Sequence, residues 1–187
     1  AFEGVPSEWK GYSKTSFTVD GKNCFVIEPE NAAEGKPWVW RARFPGYHSE
    51  IDQLLLAKGY HIAHIDTGGM LGSPAALKHW EVFYSFLTDT EGLNKKAALY
   101  GVGRGGLFVY RWAKNHPGTV ACIYNDTPVC DLKRWPGGKG VGMGDAKTWD
   151  DALAQYSFEN EAVALAYGDN PIDNLETVAQ AQIPIMH

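Results

Sequence analysis

Apolar and polar positions alternate over residues 13–19 and again over 23–27, with Asp20-Gly21 between them. A period of two rich in β-branched and aromatic residues predicts strands, and Asp-Gly predicts a hairpin turn joining them. Residues 31–36 are polar and turn-like, and 37–42 read as a third strand. After the loop Arg43-Phe44-Pro45-Gly46-Tyr47-His48 the period changes. Ser49 with Asp52 three residues on predicts a capped helix whose buried stripe is Ile51, Leu54 and Leu55, stopped by Gly59. Residues 60–65 form a further apolar run ending at Asp66. Ser73-Pro74 then opens a helix along which Leu77, Trp80, Phe83, Tyr84 and Leu87 keep helical spacing.

The same alternation of strand and helix continues. A short strand at 97–100 meets a glycine-rich turn, followed by a helix-like run to Asn115 that Pro117-Gly118 breaks. Residues 120–124 form the next strand, ending at Asn125-Asp126. From 127 to about 166 the pattern loosens, with five glycines between 137 and 144 and a capped helix starting at Thr148. A short helix at 175–182 and the start of a strand at 183–186 complete the chain. An opening hairpin followed by strand–helix alternation predicts a mostly parallel sheet with helices on both faces. No internal repeat or second domain is visible, and residues 127–166 read as a cap-like insertion in one domain.

Composition narrows this picture. A chain of 187 residues that is 44% hydrophobic can bury a core as one domain. Its net charge of −5 is spread along the sequence, with no basic cluster that would suit nucleic acid. The apolar stretches are far shorter than a membrane span. No leader pattern opens the chain, which a processed exported protein would also show, so localisation stays open with export weighted slightly above the cytoplasm. Cys24, Cys122 and Cys130 have neither a C-x-x-C nor a metal spacing. Cys122 reads as a small core residue, while Cys24 and Cys130 could pair. No metal or other cofactor is implied. Of seven tryptophans, Trp135 stands apart in the loop-forming run Arg134-Trp135-Pro136-Gly137-Gly138, where it could stack on a sugar ring or anchor the loop.

The turn Gly101-Val102-Gly103-Arg104-Gly105-Gly106 bears most directly on function. Read as G-x-G-x-x-G it is a dinucleotide fingerprint, with glycine amides for a pyrophosphate and Asp126, twenty residues beyond Gly106, for a ribose. Four strands precede it, however, whereas such a unit usually opens its domain. Read with serine at 103 it is the G-x-S-x-G nucleophile elbow, which needs small residues two positions either side of the nucleophile. Gly101 and Gly105 supply them. The 43–48 loop lies where an oxyanion hole draws its second amide, the first coming from Arg104.

The stretch from Ala98 to Tyr110, together with Asn170-Pro171-Ile172-Asp173-Asn174-Leu175 and Ile183-Pro184-Ile185-Met186-His187, resembles the α/β-hydrolase superfamily. The elbow is similar to the G-x-S-R-G-G of bacterial prolyl-oligopeptidase-like and carbohydrate-esterase-like serine hydrolases. The resemblance runs from about Pro37 to the end. It implies hydrolysis of a carboxylic ester of a carbohydrate or small molecule, with Gly103 at the nucleophile position and the amides of Arg104 and Phe44 binding the oxyanion. Arg43, His48, Asp66 and Trp135 are the candidate substrate contacts.

Two departures follow. Gly103 has no hydroxyl, and losing a nucleophile costs about 10⁶ in rate in a well-studied protease. The fold's order is Ser, acid, His, with the acid after the strand at 183–186. The acid, the histidine and the end of the fold are therefore expected beyond His187, in a further C-terminal segment. As written the chain is expected to be inactive, through engineering or natural loss. Asp126 or Asp131 could instead serve as the acid. His61 and His64, three apart in a strand, face opposite sides and cannot share a metal. A hydrolase-fold binding protein and a nucleotide-dependent oxidoreductase remain as alternatives.

Overall fold

A computed structural model describes residues 2–187. One eight-stranded sheet organises them, in the order β1-β2-β3-β5-β4-β6-β7-β8. Strands β1 (Val5–Trp9), β2 (Tyr12–Val19) and β3 (Lys22–Glu28) form an antiparallel meander that joins β5 (His61–Ile65) antiparallel through β3. The remaining strands β4 (Trp38–Arg41), β6 (Ala97–Val102), β7 (Val120–Asp126) and β8 (Ile185–Met186) run parallel with β5. The mostly parallel sheet with an N-terminal antiparallel hairpin is therefore observed, with β1 added at the edge. The polar-in-sequence segment Val5–Trp9 gives no alternation strong enough to announce that strand.

Every residue of β4 and β5 is buried, as expected for central parallel strands covered on both faces. On one face α1 (Ser49–Ala57) packs Leu56 against Ile27, Val39, Ile62 and Tyr100. On the other, α2 (Pro74–Ser85) and α3 (Gly105–Asn115) enclose the larger core. There Trp40 stacks on Trp80 at 4.2 Å and meets Trp112 edge-on at 4.8 Å. Two indole N–H groups buried in this cluster are satisfied, Trp80 by Thr67 Oγ1 and Trp112 by Thr119 Oγ1, both at 2.9 Å, whereas the buried Trp40 Nε1 has no partner among the described residues.

Ser73 caps α2 through the Ala76 amide, as its position before Pro74 predicts. The start of α1 is different. Its cap residue is His48 in a left-handed conformation, φ 53°, with no side-chain cap bond. Ser49 Oγ instead accepts from Lys10 Nζ, and Asp52 turns inward to the buried Arg41. Leu54, expected in the buried stripe, is 65% exposed. The charged Asp52 takes an inward position of the helix because Arg41 waits there, a pairing invisible to periodicity.

Within 127–166 the chain is irregular to Gly144 and then forms α4 (Ala146–Gln155) and α5 (Glu161–Ala166). The cap of α4 is Asp145, accepting from the Thr148 amide, so the helix begins before Thr148. Trp149, Ala152 and Ala164 join the core, so these helices are packed on the body. The last helix, α6 (Glu176–Gln180), leads to β8. Arg111 and Lys114 of α3 tie down the segment before it. Arg111 binds Asp169 at 2.9 Å and Tyr167 at 2.8 Å, and Lys114 binds Asp169 at 2.7 Å and the Asn170 carbonyl at 2.8 Å. All three cysteines are free thiols, so Cys24 and Cys130 do not pair. They sit on separate parts of the molecule, at the start of β3 and after β7.

Candidate active site

The order of strands fixes where a site can form. From β4 the chain crosses by α1 to β5 on one side, whereas β6, β7 and β8 extend the sheet on the other. Between the carboxyl ends of β4 and β6 the direction of winding reverses, which opens a crevice in sheets of this kind. The loop 42–48 leaves β4 there, and the glycine turn leaves β6.

The turn is tight because of specific close approaches. A Cβ at Gly101 would stand 2.3 Å from Asn125 Oδ1 and 3.1 Å from the Gly105 carbonyl carbon. At Gly106 it would stand 2.7 Å from Pro128 Cβ and 2.9 Å from the Val129 oxygen. Gly103 differs. Its φ is +52°, yet a Cβ there would meet only Phe44 Cε2, at 3.8 Å, an ordinary contact. The backbone is pinned on both sides of that open position. Gly103 N–H donates to the Asp126 oxygen at 3.0 Å, and the Gly103 oxygen accepts from Val129 N–H at 2.8 Å and Gly106 N–H at 3.1 Å.

Opposite the turn, Arg41 shapes the loop from beneath. It is fully buried, lies 3.4 Å from Asp52 and stacks over the Tyr100 ring with Cζ at 3.9 Å. Its Nη2 donates to the carbonyls of Phe44 and Tyr47. Those two bonds hold Phe44 in a left-handed conformation, φ 50°, with its ring against position 103. Burial outweighs the attraction of Arg41 and pushes the Asp52 carboxyl up to about 6. The amides of Phe44 and Arg104 have no hydrogen-bond partner among the described residues. The N-terminal end of α3 also points to this crevice, where its dipole favours developing negative charge.

The side chains expected to touch substrate fall into two groups. In the first, His48 Nε2 lies 3.2 Å from Asp126 Oδ2, with its Nδ1 3.2 Å from Glu50 and the Tyr47 ring packed on it. The Glu50 backbone amide and His48 hold the Glu50 carboxyl below its ordinary range. In the second, the Arg43 guanidinium lies over the Phe44 ring, Cζ 4.4 Å from its centroid, and Asp66 accepts from the Gly68 amide at 3.4 Å. Trp135 is half-buried beneath the Arg104 guanidinium, Cζ 4.8 Å from the ring. One face of its indole is thereby taken by protein. Asp131 lies apart, buried and accepting from the Lys133 amide.

A sizeable concavity lies elsewhere. It measures 660 Å³, is mostly apolar, and is lined by Trp38, Ala98, Cys122 and Tyr124 near the amino ends of the parallel strands. Ligands of open α/β sheets bind at the carboxyl ends, so size alone does not mark the site.

Sequence reading missed the pairing of His48 with Asp126, residues 78 positions apart that only the adjacency of β4, β6 and β7 brings together. It also missed Arg41 as the buried anchor of the loop; a lone charge ending the apolar run Trp38-Val39-Trp40 was the available signal.

No family model matches the chain, and no curated protein matches it by sequence. Solved structures do. The 2,6-dihydroxy-pseudo-oxynicotine hydrolase superposes with a TM-score of 0.62 at 17% identity, covering 92% of this chain and 51% of its own. The esterase Pf2001 of Pyrococcus furiosus gives 0.55 at 15% identity, covering 98% and 74%. This is the α/β-hydrolase fold. A cold-adapted esterase from an Arctic intertidal metagenomic library gives 0.50 at 14% identity, covering 67% of this chain and 64% of that esterase. The chain thus spans less than two thirds of the length of the cold-adapted esterase and about half that of the pseudo-oxynicotine hydrolase. In this chain the turn between β6 and α3 is the glycine-rich one that holds Gly103.

Proposed function

We propose that this chain is the scaffold of a carboxylic-ester hydrolase, with Gly103 at the nucleophile position and no acyl-transfer turnover while glycine stands there. The observation that carries this reading is the contrast among the glycines. Positions 101 and 106 exclude any side chain, whereas 103 has room for one although nothing occupies it. A serine at 103 would attack the ester carbonyl, and the amides of Arg104 and Phe44 would receive the oxyanion. The resemblance of the G-x-G-R-G-G turn to carbohydrate-esterase-like enzymes supports a sugar or small-molecule ester, and two neighbours named as esterases support an ester of unspecified kind. The resemblance assigns the acid and the histidine to chain following β8; the His48–Asp126 pair is the histidine–carboxylate contact beside the elbow.

A second reading, a binding protein that keeps the pocket without turnover, is favoured by the glycine itself. Gly103→Ser in the full protein separates the two. Hydrolysis of p-nitrophenyl acetate above the Gly103→Ala background, with fluorophosphonate labelling at residue 103, is expected for the hydrolase scaffold. A folded Gly103→Ser protein with neither activity nor labelling would leave the binding reading. For a nucleotide-dependent enzyme, tight NAD(H) binding lost in Asp126→Ala would be required.

A further inference from the structure

A 520 Å³ cavity, lined by Arg43 and Pro45 from the loop after β4, opens at the carboxyl end of β5. Arg43, His64, Asp66, Asn23 and Ser16 supply its polar groups, and Phe25 part of its apolar wall. Three features distinguish it from an accidental surface dip.

Arg43 has no carboxylate within ion-pair distance and no hydrogen bond among the described residues. Its Nε is buried without a partner. The side chain packs so close to Gly68 that a Cβ there would stand 2.6 Å from Nε, and it lies over Phe44. A guanidinium packed in this way with its terminal nitrogens unclaimed suits a planar anion, which it binds through two parallel hydrogen bonds.

His64 is held in one tautomer. Its Nδ1 lies 2.6 Å from the Arg41 oxygen, and a carbonyl only accepts, so Nδ1 carries the proton. Burial, with a smaller contribution from the nearby arginines, keeps this histidine below its ordinary range and neutral. Nε2 is then a hydrogen-bond acceptor on the cavity wall. Asp66, exposed at the rim, is a second acceptor. A bare anion would satisfy Arg43 but leave both acceptors unmatched, and would lie near the Asp66 charge. A ligand carrying a carboxylate and neighbouring hydroxyls matches all three: the carboxylate accepts from Arg43, and hydroxyls donate to His64 Nε2 and Asp66.

From this complementarity we infer that the cavity is a subsite for a hydroxylated carboxylate, such as a sugar acid, with Arg43 its specificity-determining residue. Binding at the cavity stands alone, whereas its role as the subsite of an ester substrate rests on the proposed hydrolase reading. Both position 103 and Arg43 border the Phe44 ring, a Cβ at 103 standing 3.8 Å from its Cε2 and the Arg43 Cζ 4.4 Å from its centroid, which sets the acid group near the reacting carbon.

The test uses the chain as it stands, with D-gluconate as probe, D-glucitol as its uncharged counterpart and inorganic sulfate as a bare anion. Titration followed by ¹⁵N-resolved amide shifts should show saturable gluconate binding that moves Arg43, Asp66 and Asn23 and leaves Gly137 in place. Glucitol and sulfate should each bind about tenfold more weakly or worse, the difference a charge-assisted pair makes. Arg43→Gln should reduce gluconate affinity by about tenfold or more, and Arg43→Lys by less, because lysine keeps the charge without the fork. Equal binding of gluconate and glucitol, sulfate as good as gluconate, shifts elsewhere, or no saturation overturns the inference. The wild-type shifts decide this even if the arginine variants fail to fold. Gluconate binding without hydrolysis by Gly103→Ser would leave the subsite standing and remove the hydrolase reading.

Discussion

Replacing single glycines in the turn between β6 and α3 measures whether position 103 was shaped for a side chain. Gly103→Ala and Gly103→Ser place a Cβ 3.8 Å from the Phe44 ring, so packing adds no penalty. What remains is the left-handed φ of +52°, which costs an L-residue roughly 1–2 kcal/mol. Gly106→Ala has no such φ but drives a Cβ to 2.7 Å from Pro128 and 2.9 Å from the Val129 oxygen. The 127–129 segment must move, and with it the Val129 N–H bond to the Gly103 oxygen. Overpacking of about 1–3 kcal/mol and a lost bond of about 1 kcal/mol give roughly 2–4 kcal/mol. With a urea slope of about 2 kcal/mol/M, the midpoint should fall by about 0.5–1 M for either change at 103 and about 1–2 M at 106. Equilibrium urea unfolding followed by tryptophan fluorescence reads both. A Gly103→Ser protein destabilised as much as Gly106→Ala would mean that no room exists at 103, and the nucleophile assignment would fall with it.

Two further outcomes follow from buried charges. Asp52 is raised to about 6 in the folded chain against an ordinary value near 3.8, so the folded state holds its proton more tightly. Its contribution is fully present below pH 3.8 and lost as pH rises through 6; relative to Asp52→Asn, the wild type should lose about 2 kcal/mol between pH 4 and 7. Urea unfolding of both proteins across that range checks this, and a difference that stays flat or reverses would contradict it. Asp169 behaves oppositely: burial pushes it up, but Lys114 and Arg111 more than offset this and hold it below the carboxylate range. Arg111→Met should cost about 2–4 kcal/mol by leaving Gly72 and Tyr167 without their donor. It should also open residues 167–173 to limited proteolysis, and unchanged cleavage there would refute the tethering role.

Much of the architecture was legible because its signals are local. Asp20-Gly21 and the alternation around it announced the β2–β3 hairpin, Ser73-Pro74 the start of α2, and the glycine spacing at 101–106 the strand-to-helix turn. The errors fell where a distant partner decides. Leu54 faces outward and Asp52 inward because Arg41, on a neighbouring strand, claims the inner position. Ser49 lost its capping role when His48 entered the left-handed region to reach Asp126. Val5–Trp9 became a strand by pairing with β2, without an apolar pattern of its own.

The sequence by itself determined that a sharp glycine turn joins a buried strand to a helix, since turn chemistry and hydrophobic period are written in adjacent residues. It also determined that residue 103 has no hydroxyl. Tertiary structure alone decided which of those glycines are obligatory, because the atoms that exclude a Cβ at 101 and 106 come from Asn125, Pro128 and Val129. It alone set Phe44 against position 103, paired His48 with Asp126 and brought Arg43 and His64 to one cavity. Strand order β3-β5-β4-β6-β7 brings these residues together across gaps of up to 83 positions, and no local pattern encodes that order.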